Sequence, residues 1–590
     1  MASVLPFTLP TNLPAGSRIT ELDSIETNVG DWRDQLMFLR KAKPIITFYR
    51  NREDGDSGLE YYGRVAYQDT IKASFPLKKN VSAQGVMELR YDHYISEWLR
   101  SVPNDPEHKK NIIIRVDFFG GKLRWTGLLH HHAVKMRDGI HYMELTFNDD
   151  LQFLQFLLGP PNPALPIPLF QWPRVLPILG PAKWACSVMI LLNLIRVQGL
   201  INIPDDPFDP SQWGEMIANP WMNHQVHIKC NPLPFDDSSL WTVLGTRMNA
   251  IDSVLADSLE DSQCTIRWRR VFTEEGEIEN GLLFASTPAN GALVFEIVDD
   301  SGYYNKALGG TFLGGSIVDG MARSVVQYVG GLVEDAGVLI RDDETYYPDA
   351  YYGPGWLGTL AEAPWLVIRD NSWTPMETAE LTWSPATAVS VVVGGDNPAA
   401  DAAIRLVIEV TGNILGYFLL GGFSSAGTIA ADIAMPFLVG TVFAWLEWKN
   451  SSRENNLGWV HLFELYQQGA ENNSWSLSAI AALRGGFLAT RSETSHTMSL
   501  RGNSWIIPGV HFYIGSRVGS TCRGFDDLIF VNQVEEIIPS WDNGGSGDGA
   551  LNFQIKVGQN KASMSVGERT ARLTKKIRDI VNNIGVHLIS

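Results

Sequence analysis

Cysteine is nearly missing from this chain. Cys186, Cys230, Cys264 and Cys522 are the only 4 in 590 residues, widely separated and without a CxxC pair. This scarcity argues against a disulfide framework, a zinc ribbon and a redox motif, and the four read as buried thiols of a reducing compartment. Basic charge is short as well: 47 Lys and Arg face 65 Asp and Glu, a net charge of -18. Such a surface repels phosphate backbones, which argues against tight nucleic-acid binding but suits an acidic lumen along which DNA slides without sticking. The stretch Met1-Ala2-Ser3-Val4-Leu5-Pro6 has no basic region, and Pro6, Pro10 and Pro14 interrupt any apolar one, so no signal peptide is expected.

Catalytic signatures are also missing: the sequence has no GxxxxGK[ST], no HExxH and no GxSxG. Gly422-Phe423-Ser424-Ser425-Ala426-Gly427 has the wrong spacing for a nucleophile elbow, and the glycine-rich stretch Gly544–Gly549 has no Rossmann unit around it. His224, His227 and Cys230 are spaced to suit zinc, but no fourth ligand is near. His130, His131 and His132 fall in a predicted strand, where successive imidazoles point to opposite faces. The acidic pairs Asp299-Asp300 and Asp342-Asp343 are of a kind that chance supplies in an Asp-rich chain. No catalytic residue, metal or cofactor is therefore expected.

What the sequence does have is core. Hydrophobic residues make up 45% and charged residues 19%, with 19 Trp and 26 Phe, and the length calls for several domains. Alternating and β-branched runs predict strands at Ile45–Tyr49, Tyr61–Tyr67, Ile112–Phe119, Lys122–His130 and His141–Phe147, with a hairpin turn at Gly120-Gly121. Further strands are expected at Cys264–Phe272, Gly281–Ala285, Ala292–Val298, Thr497–Leu500, His511–Val518, Ile529–Val534 and Phe553–Val557. Helical spacing predicts helices at Tyr91–Arg100, Asp149–Leu158, Lys183–Gly199, Ser239–Leu259, Trp459–Gln467, Leu477–Leu483 and Thr570–Ile584.

The resulting fold class is α+β and multidomain, with sandwich- or barrel-like β-rich domains, inserted helical segments and a long apolar helical hairpin. The expected divisions are an arm at 1–40, a β-rich domain at 41–158, a Pro-rich clamp with helical insertion at 159–263 and a second β-rich domain at 264–395. The apolar hairpin and a helical region at 396–490, a β-domain at 491–563 and a terminal helix at 564–590 complete the chain. The hairpin is the compositional oddity. Val410–Ala431 and Ile433–Leu446 carry no charge, but the first run, about 22 residues long, is glycine-rich and the second, about 14, is too short to span a bilayer. Ile414, Phe418, Leu419, Leu420, Phe423, Phe437 and Trp445 are its candidate interaction residues, buried in a subunit interface or released into lipid.

Specific strings carry a family resemblance. NIIIRVDFFGGKLRWTG over Asn111–Gly127 and DGIHYMELTFNDD over Asp138–Asp150 resemble the N-terminal hub region of minor tail proteins of mycobacteriophages and related actinobacteriophages with non-contractile tails. WLVIRD over Trp365–Asp370, LTWSPA over Leu381–Ala386, FELYQQG over Phe463–Gly469, Ala479–Arg491 and IGSRV over Ile514–Val518 resemble later blocks of that group.

The resemblance implies a non-enzymatic virion protein of the tail tip, synthesised in the host cytoplasm, that closes the distal tube and opens for DNA ejection. Its implied partners are two further copies of itself in a homotrimer, the distal tail ring, the tape measure protein and other minor tail or receptor-binding proteins, with transient passage of DNA and contact with the host membrane. A tail-associated cell-wall hydrolase and a membrane-inserting, pore-forming tail protein are the alternatives. Leu419→Asp should bury an unpaired charge, at a cost on the order of several kcal/mol per subunit, and block tail assembly. Tails that assemble normally but fail to deliver DNA would instead favour the membrane role of the segment.

Overall fold

The computed structural model describes residues 31–163, 176–198, 223–231, 237–301, 364–394, 445–466 and 483–557, apart from short internal stretches. The chain divides into two compact units: Met1–Gly320 with Asp349–Glu380 and His496–Asn560, and Met321–Pro348 with Leu381–Ser495 and Lys561–Ser590.

The first unit opens with helix α1, residues 33–41, which buries Leu36. Strands β1 (Ile45–Asn51), β2 (Leu59–Val65), β3 (Thr70–Ser74), β4 (Leu77–Lys78) and β5 (Gln84–Arg90) follow, then helix α2 (Tyr94–Ser101). Helix α2 starts where His93 caps it, its Nδ1 accepting from the Ile95 amide at 3.2 Å, and the periodic Ile95, Trp98 and Leu99 face the core. Strands β6 (Ile112–Phe118), β7 (Leu123–Arg137) and β8 (Ile140–Asp149) come next. The turn from β6 to β7 takes four residues, Phe119 to Lys122, and not the expected two; Phe119, Gly120 and Gly121 lie at φ +49°, +64° and +86°.

An excursion then leaves the sheet. Its elements are β9 (Leu158–Gly159), β10 (Leu176–Pro181), α3 (Ala182–Gln198), β11 (Val226–Lys229), β12 (Trp241–Thr246), β13 (Asn249–Ala250) and α4 (Ile251–Ser262). The chain returns through β14 (Cys264–Val271) and β15 (Ala292–Asp299), which form a three-stranded sheet with β11. Helix α3 buries Ala182, Ala185, Cys186, Met189, Ile190, Asn193 and Leu194, a stripe of helical period.

The expected helix over Ser239–Leu259 is correct only in its second half. Thr242, Val243 and Thr246 belong to β12, which pairs antiparallel with β10 from Leu176↔Thr246 to Pro181↔Trp241. Met248 at φ +65° then breaks the chain before α4. An available edge outweighs apolar spacing that suits either geometry, and Pro177 and Pro181 are tolerated because β10 has no second partner among the described strands. The helix expected at Asp149–Leu158 shrinks to a single 3-10 turn, Asp150–Leu154.

Strands β16 (Val367–Ile368) and β17 (Met376–Ser384) lead to the second unit, where β18 (Ala388–Gly394), β19 (Trp445–Lys449), α5 (Ser451–Leu457) and β20 (Leu462–Tyr466) are described. Strand β18 lies at the centre, antiparallel to β19 and parallel to β20. Asn450 caps α5 by accepting from the Arg453 amide at 3.0 Å. The buried Arg453 guanidinium donates to the Ala388 and Phe487 carbonyls at 3.1 Å each. The helix expected at Trp459–Gln467 is thus the strand β20. Of the expected apolar helical hairpin, Ile414, Phe418, Leu419, Leu420, Phe423 and Phe437 lie outside the described residues. Its last two residues, Trp445 and Leu446, are strand and not helix, because Gly394 and Val393 pair with them.

Strands β21 (Glu493–Leu500), β22 (Arg517–Ser520), β23 (Phe530–Asp542) and β24 (Asn552–Val557) close the described chain. Of the strand expected at His511–Val518, only Arg517 and Val518 are strand, and Ile514 and Gly515 form a turn ahead of them. These late strands extend the early sheet, in the order β17-β21-β24-β23-β3-β5-β8-β7-β6-β1-β2. The seam is β23 on β3, Ser540↔Ser74 to Asp542↔Lys72.

Aromatic packing explains the seam. Phe75 sits 5.0 Å from Trp125 and 5.8 Å from Trp541, ring centre to ring centre. Each indole N–H is also satisfied: Trp125 donates to the Pro76 carbonyl at 2.9 Å and Trp541 to the Thr70 hydroxyl at 2.7 Å. Gly85 must be glycine here, since a Cβ would stand 2.7 Å from Phe75 and 2.9 Å from Trp125. Gln533 of β23 donates to the carbonyls of Gln263 and Asp300 at 3.3 and 3.1 Å, which fixes the returning excursion to the same strand. Trp541→Ala should cost about 3–5 kcal/mol through the cavity it leaves. Urea denaturation should show the transition of the first unit displaced as a whole, and a loss confined to the C-terminal strands would contradict the shared seam.

Candidate assembly surface

Strand β6 reads Ile-Ile-Ile-Arg-Val-Asp-Phe and is buried along its whole length. Alternation sends Ile112, Ile114, Val116 and Phe118 to one face and Arg115 and Asp117 to the other. The second face meets Phe272 and the turn Thr273–Glu275, which follow β14, and charge makes much of the contact. Asp117 sits 3.0 Å from Arg115 and 2.6 Å from Arg124, while Arg115 reaches Glu275 at 2.9 Å and Arg124 reaches Glu277 at 2.7 Å. The Arg115 guanidinium lies 4.4 Å from the Phe272 ring centre, and Tyr49 stacks on the same ring at 4.3 Å while donating to Glu275 at 2.6 Å.

At the root of this lattice is a fully buried pair. On β14, Arg270 shares the inward face with Cys264, Ile266 and Trp268. Its Nε and Nη2 donate to the two oxygens of Asp150 at 2.9 and 2.6 Å, and its Nη1 donates to the Gly291 carbonyl at 2.9 Å. The Thr126 hydroxyl donates to the same carboxylate.

Environment sets the protonation of the flanking acids. Burial raises the Glu277 carboxyl, but hydrogen bonds from Arg124 and the Phe272 amide, with the charges of Arg124 and Arg269, hold it down at about 2. Burial raises Asp149 to about 7 despite hydrogen bonds from the Ala83 amide at 2.9 Å and the Ser82 hydroxyl at 2.8 Å. Burial, with Glu275 beside it, holds the Tyr49 phenol neutral. In this lattice the acids and bases neutralise one another, so its chemistry is that of a clamp.

Histidines 224 and 227 stack with ring centres 6.2 Å apart, and both are buried, as is Cys230. Burial and the neighbouring His224 lower His227 to about 4, and burial raises the Cys230 thiol to about 11. Among the described residues no group of three His, Cys, Asp or Glu is placed to hold a metal ion. No described helix is long and apolar enough to cross a membrane.

The surface that stands out is the far end of the β7–β8 hairpin. Strand β6 stops pairing with β7 at Ile113↔Leu128, and β5 stops pairing with β8 at Arg90↔Tyr142. Beyond them the hairpin turns through Asp138 and Gly139, at φ +52° and +80°, a conformation that favours this dipeptide. Met136 and Ile140 there are 64% and 72% exposed, and Val134 is exposed beside them. Lys135 pairs with Glu144 at 2.6 Å, and Arg137 lies over the Tyr142 ring at 4.8 Å. A bulge between Leu129 and His131 interrupts the expected alternation of imidazoles and brings the His130 and His131 rings within 5.3 Å. The sequence predicts strand only as far as His130 and again from His141, which leaves out the ridge between them; its signal is apolar residues on both faces beyond the last neighbour strand.

Similar proteins share this length of chain. A family profile described as Siphovirus ReqiPepy6 Gp37-like protein matches residues 56–553. Minor tail protein Gp28 of Mycobacterium phage L5 is 29% identical over 556 residues, covering 86% of this chain and 89% of that relative. Minor tail protein Gp28 of Mycobacterium phage D29 is 27% identical over 554 residues, with the same coverage of 86% and 89%. Among solved structures, the tail protein from Neisseria meningitidis MC58 aligns at a TM-score of 0.37 with 9% identity, over 90% of this chain and 99% of its own, a likeness too distant to carry weight.

The two shifted acids predict opposite pH limbs. Glu277, held at about 2 against an ordinary 4.5, contributes stability above about pH 4.5 that is lost as pH falls through 2. Asp149, raised to about 7 from 3.8, contributes stability below about pH 4 that is lost as pH rises through 7. Urea midpoints measured across pH should show Glu277→Gln flattening the acid limb and Asp149→Asn flattening the decline between 4 and 7. Unchanged slopes in either variant would refute that assignment.

Proposed function

Because the chain belongs to the siphovirus ReqiPepy6 Gp37-like family, we propose that it is a structural protein of the virion tail, made in the host cytoplasm and assembled as a homotrimer at the tail tip. The observation that carries this reading is similarity over 86% of the chain to proteins named minor tail proteins. In this reading the first unit is the hub, its charge clamp holding the returning excursion rigidly on the main sheet. Its neighbours are the distal tail ring, the tape measure protein and receptor-binding proteins, and it closes the tube until ejection. The net charge of -18 supports a lumen that DNA passes without adhering. The uncharged run that begins at Val410 is the candidate plug at the axis.

Three copies related by rotation meet head to tail, so one patch must fit a different patch on the next copy. The ridge of Val134, Met136 and Ile140, flanked by Lys135 and Arg137, supports such a contact, since it offers apolar and basic groups to an otherwise acidic chain. The reading assigns no bond-making activity to the protein.

Mass photometry of the purified protein should show a trimer. Met136→Asp with Ile140→Asp should shift it to monomer by at least tenfold in midpoint concentration while leaving the thermal transition in place. A stable monomer or dimer in the unaltered protein, or peptidoglycan hydrolysis that a single Asp, Glu, Ser or His substitution abolishes, would overturn the reading.

A further inference from the structure

Strand β20 and the residues leading into it are apolar where the chain meets water. Trp459 is 96% exposed and Phe463 76%, and Val460 and Leu462 are exposed with them. Within β20, Leu462 and Glu464 share one face while Phe463 occupies the other, and all three are exposed, so neither face of the strand's first half is covered. The strand hydrogen-bonds on one side only among the described residues, parallel to β18 from Ala388↔Leu462 to Val392↔Tyr466. Such an edge is a template for another strand, and natural sheets seldom leave one apolar without a use for it.

We infer that β20 is a docking edge for an extended segment of another protein, which adds to the sheet as a strand and sets a Lys or Arg opposite Glu464. This inference goes beyond the proposed trimer and does not depend on the number of copies. Size supports it. Trp459 and Phe463 are large aromatic side chains, 96% and 76% exposed, of the kind whose burial dominates interface energetics.

Charge selects the occupant. Glu464 lies mid-strand, exposed and without an ion pair among the described residues, whereas the nearby Glu454 is engaged by Lys449 at 2.7 Å and approached by His461 at 3.6 Å. A second copy pairing antiparallel about the centre of the strand would set Glu464 against itself, a like-charge pair that opposes association. A bilayer would leave the outward backbone groups of β20 unsatisfied and draw the carboxylate out of water. A cationic, β-forming segment satisfies the backbone, the apolar side chains and the charge together.

The probe is a fluorescein-labelled, end-capped Thr-Val-Lys-Val-Thr peptide titrated with the full chain and followed by anisotropy. Saturable binding is expected, weakened at least tenfold by Glu464→Lys and restored to that variant when the peptide carries Glu in place of Lys. Phe463→Ser should weaken both pairings. Absence of saturable binding, or binding indifferent to Glu464→Lys, overturns the inference. Two other results overturn it as well: concentration-dependent self-association that Phe463→Ser abolishes, which assigns the edge to a second copy, and flotation with phosphatidylcholine vesicles that Phe463→Ser abolishes, which assigns it to lipid.

Discussion

The salt bridge between Asp150 and Arg270 is the contact on which the first unit depends. A carboxylate and a guanidinium taken wholly out of water cost several kcal/mol each in lost hydration, and the pair is tolerable only when its remaining hydrogen-bonding capacity is also met. Thr126 and the Gly291 carbonyl do this. The two residues are 120 apart in sequence, and the whole excursion from β9 to α4 lies between them. Asp150 follows the last strand before the excursion, and Arg270 is near the end of the first strand after it. The pair therefore closes the excursion at its base, and with either partner missing the other would be a stranded charge.

Around that base the lattice of Arg115, Asp117, Arg124, Glu275 and Glu277 works over a shorter range and with more water. Its members are less buried at the Glu275 and Glu277 end, so those outer contacts are screened and individually weak, while the shared Asp117 couples them. The gradient from the dry Asp150 pair to the wetter glutamates makes the clamp strongest at its root. Exposed apolar surface is left elsewhere, at the hairpin tip and at the start of β20.

Most elements of the first unit could be read from the sequence because their periods are unmixed. Strand β6 was legible as a β-rich run, α2 from Ile95, Trp98 and Leu99 on one helical face, α3 as a strongly apolar stretch, and the β6–β7 turn from its two glycines. Segments whose apolar residues fit both periods were misread. Leu240, Val243 and Leu244 fit a helix on paper, yet β10 offered them hydrogen bonds; Leu462 and Leu465 fit a helix, yet β18 offered an edge. Long-range pairing of this kind has no local signature. The Asp150 pair was hidden for the same reason, since Asp149-Asp150 looks like another acidic doublet until a strand 120 residues later supplies the arginine. The resemblance to tail proteins rested on ordered strings and was legible without any of these contacts.

The seam between β3 and β23 makes the chain a test of its own completeness. During synthesis Phe75 and Trp125 emerge early, while the strand that carries Trp541 emerges more than four hundred residues later. Until then the β3 edge is open and the aromatic pocket unfilled, a state that invites proteases and chaperones. A ribosome that stops early releases a polypeptide unable to hide that pocket, so truncated products are marked for removal by their own early strands. The sheet thus carries out its own quality control, with no separate inspector.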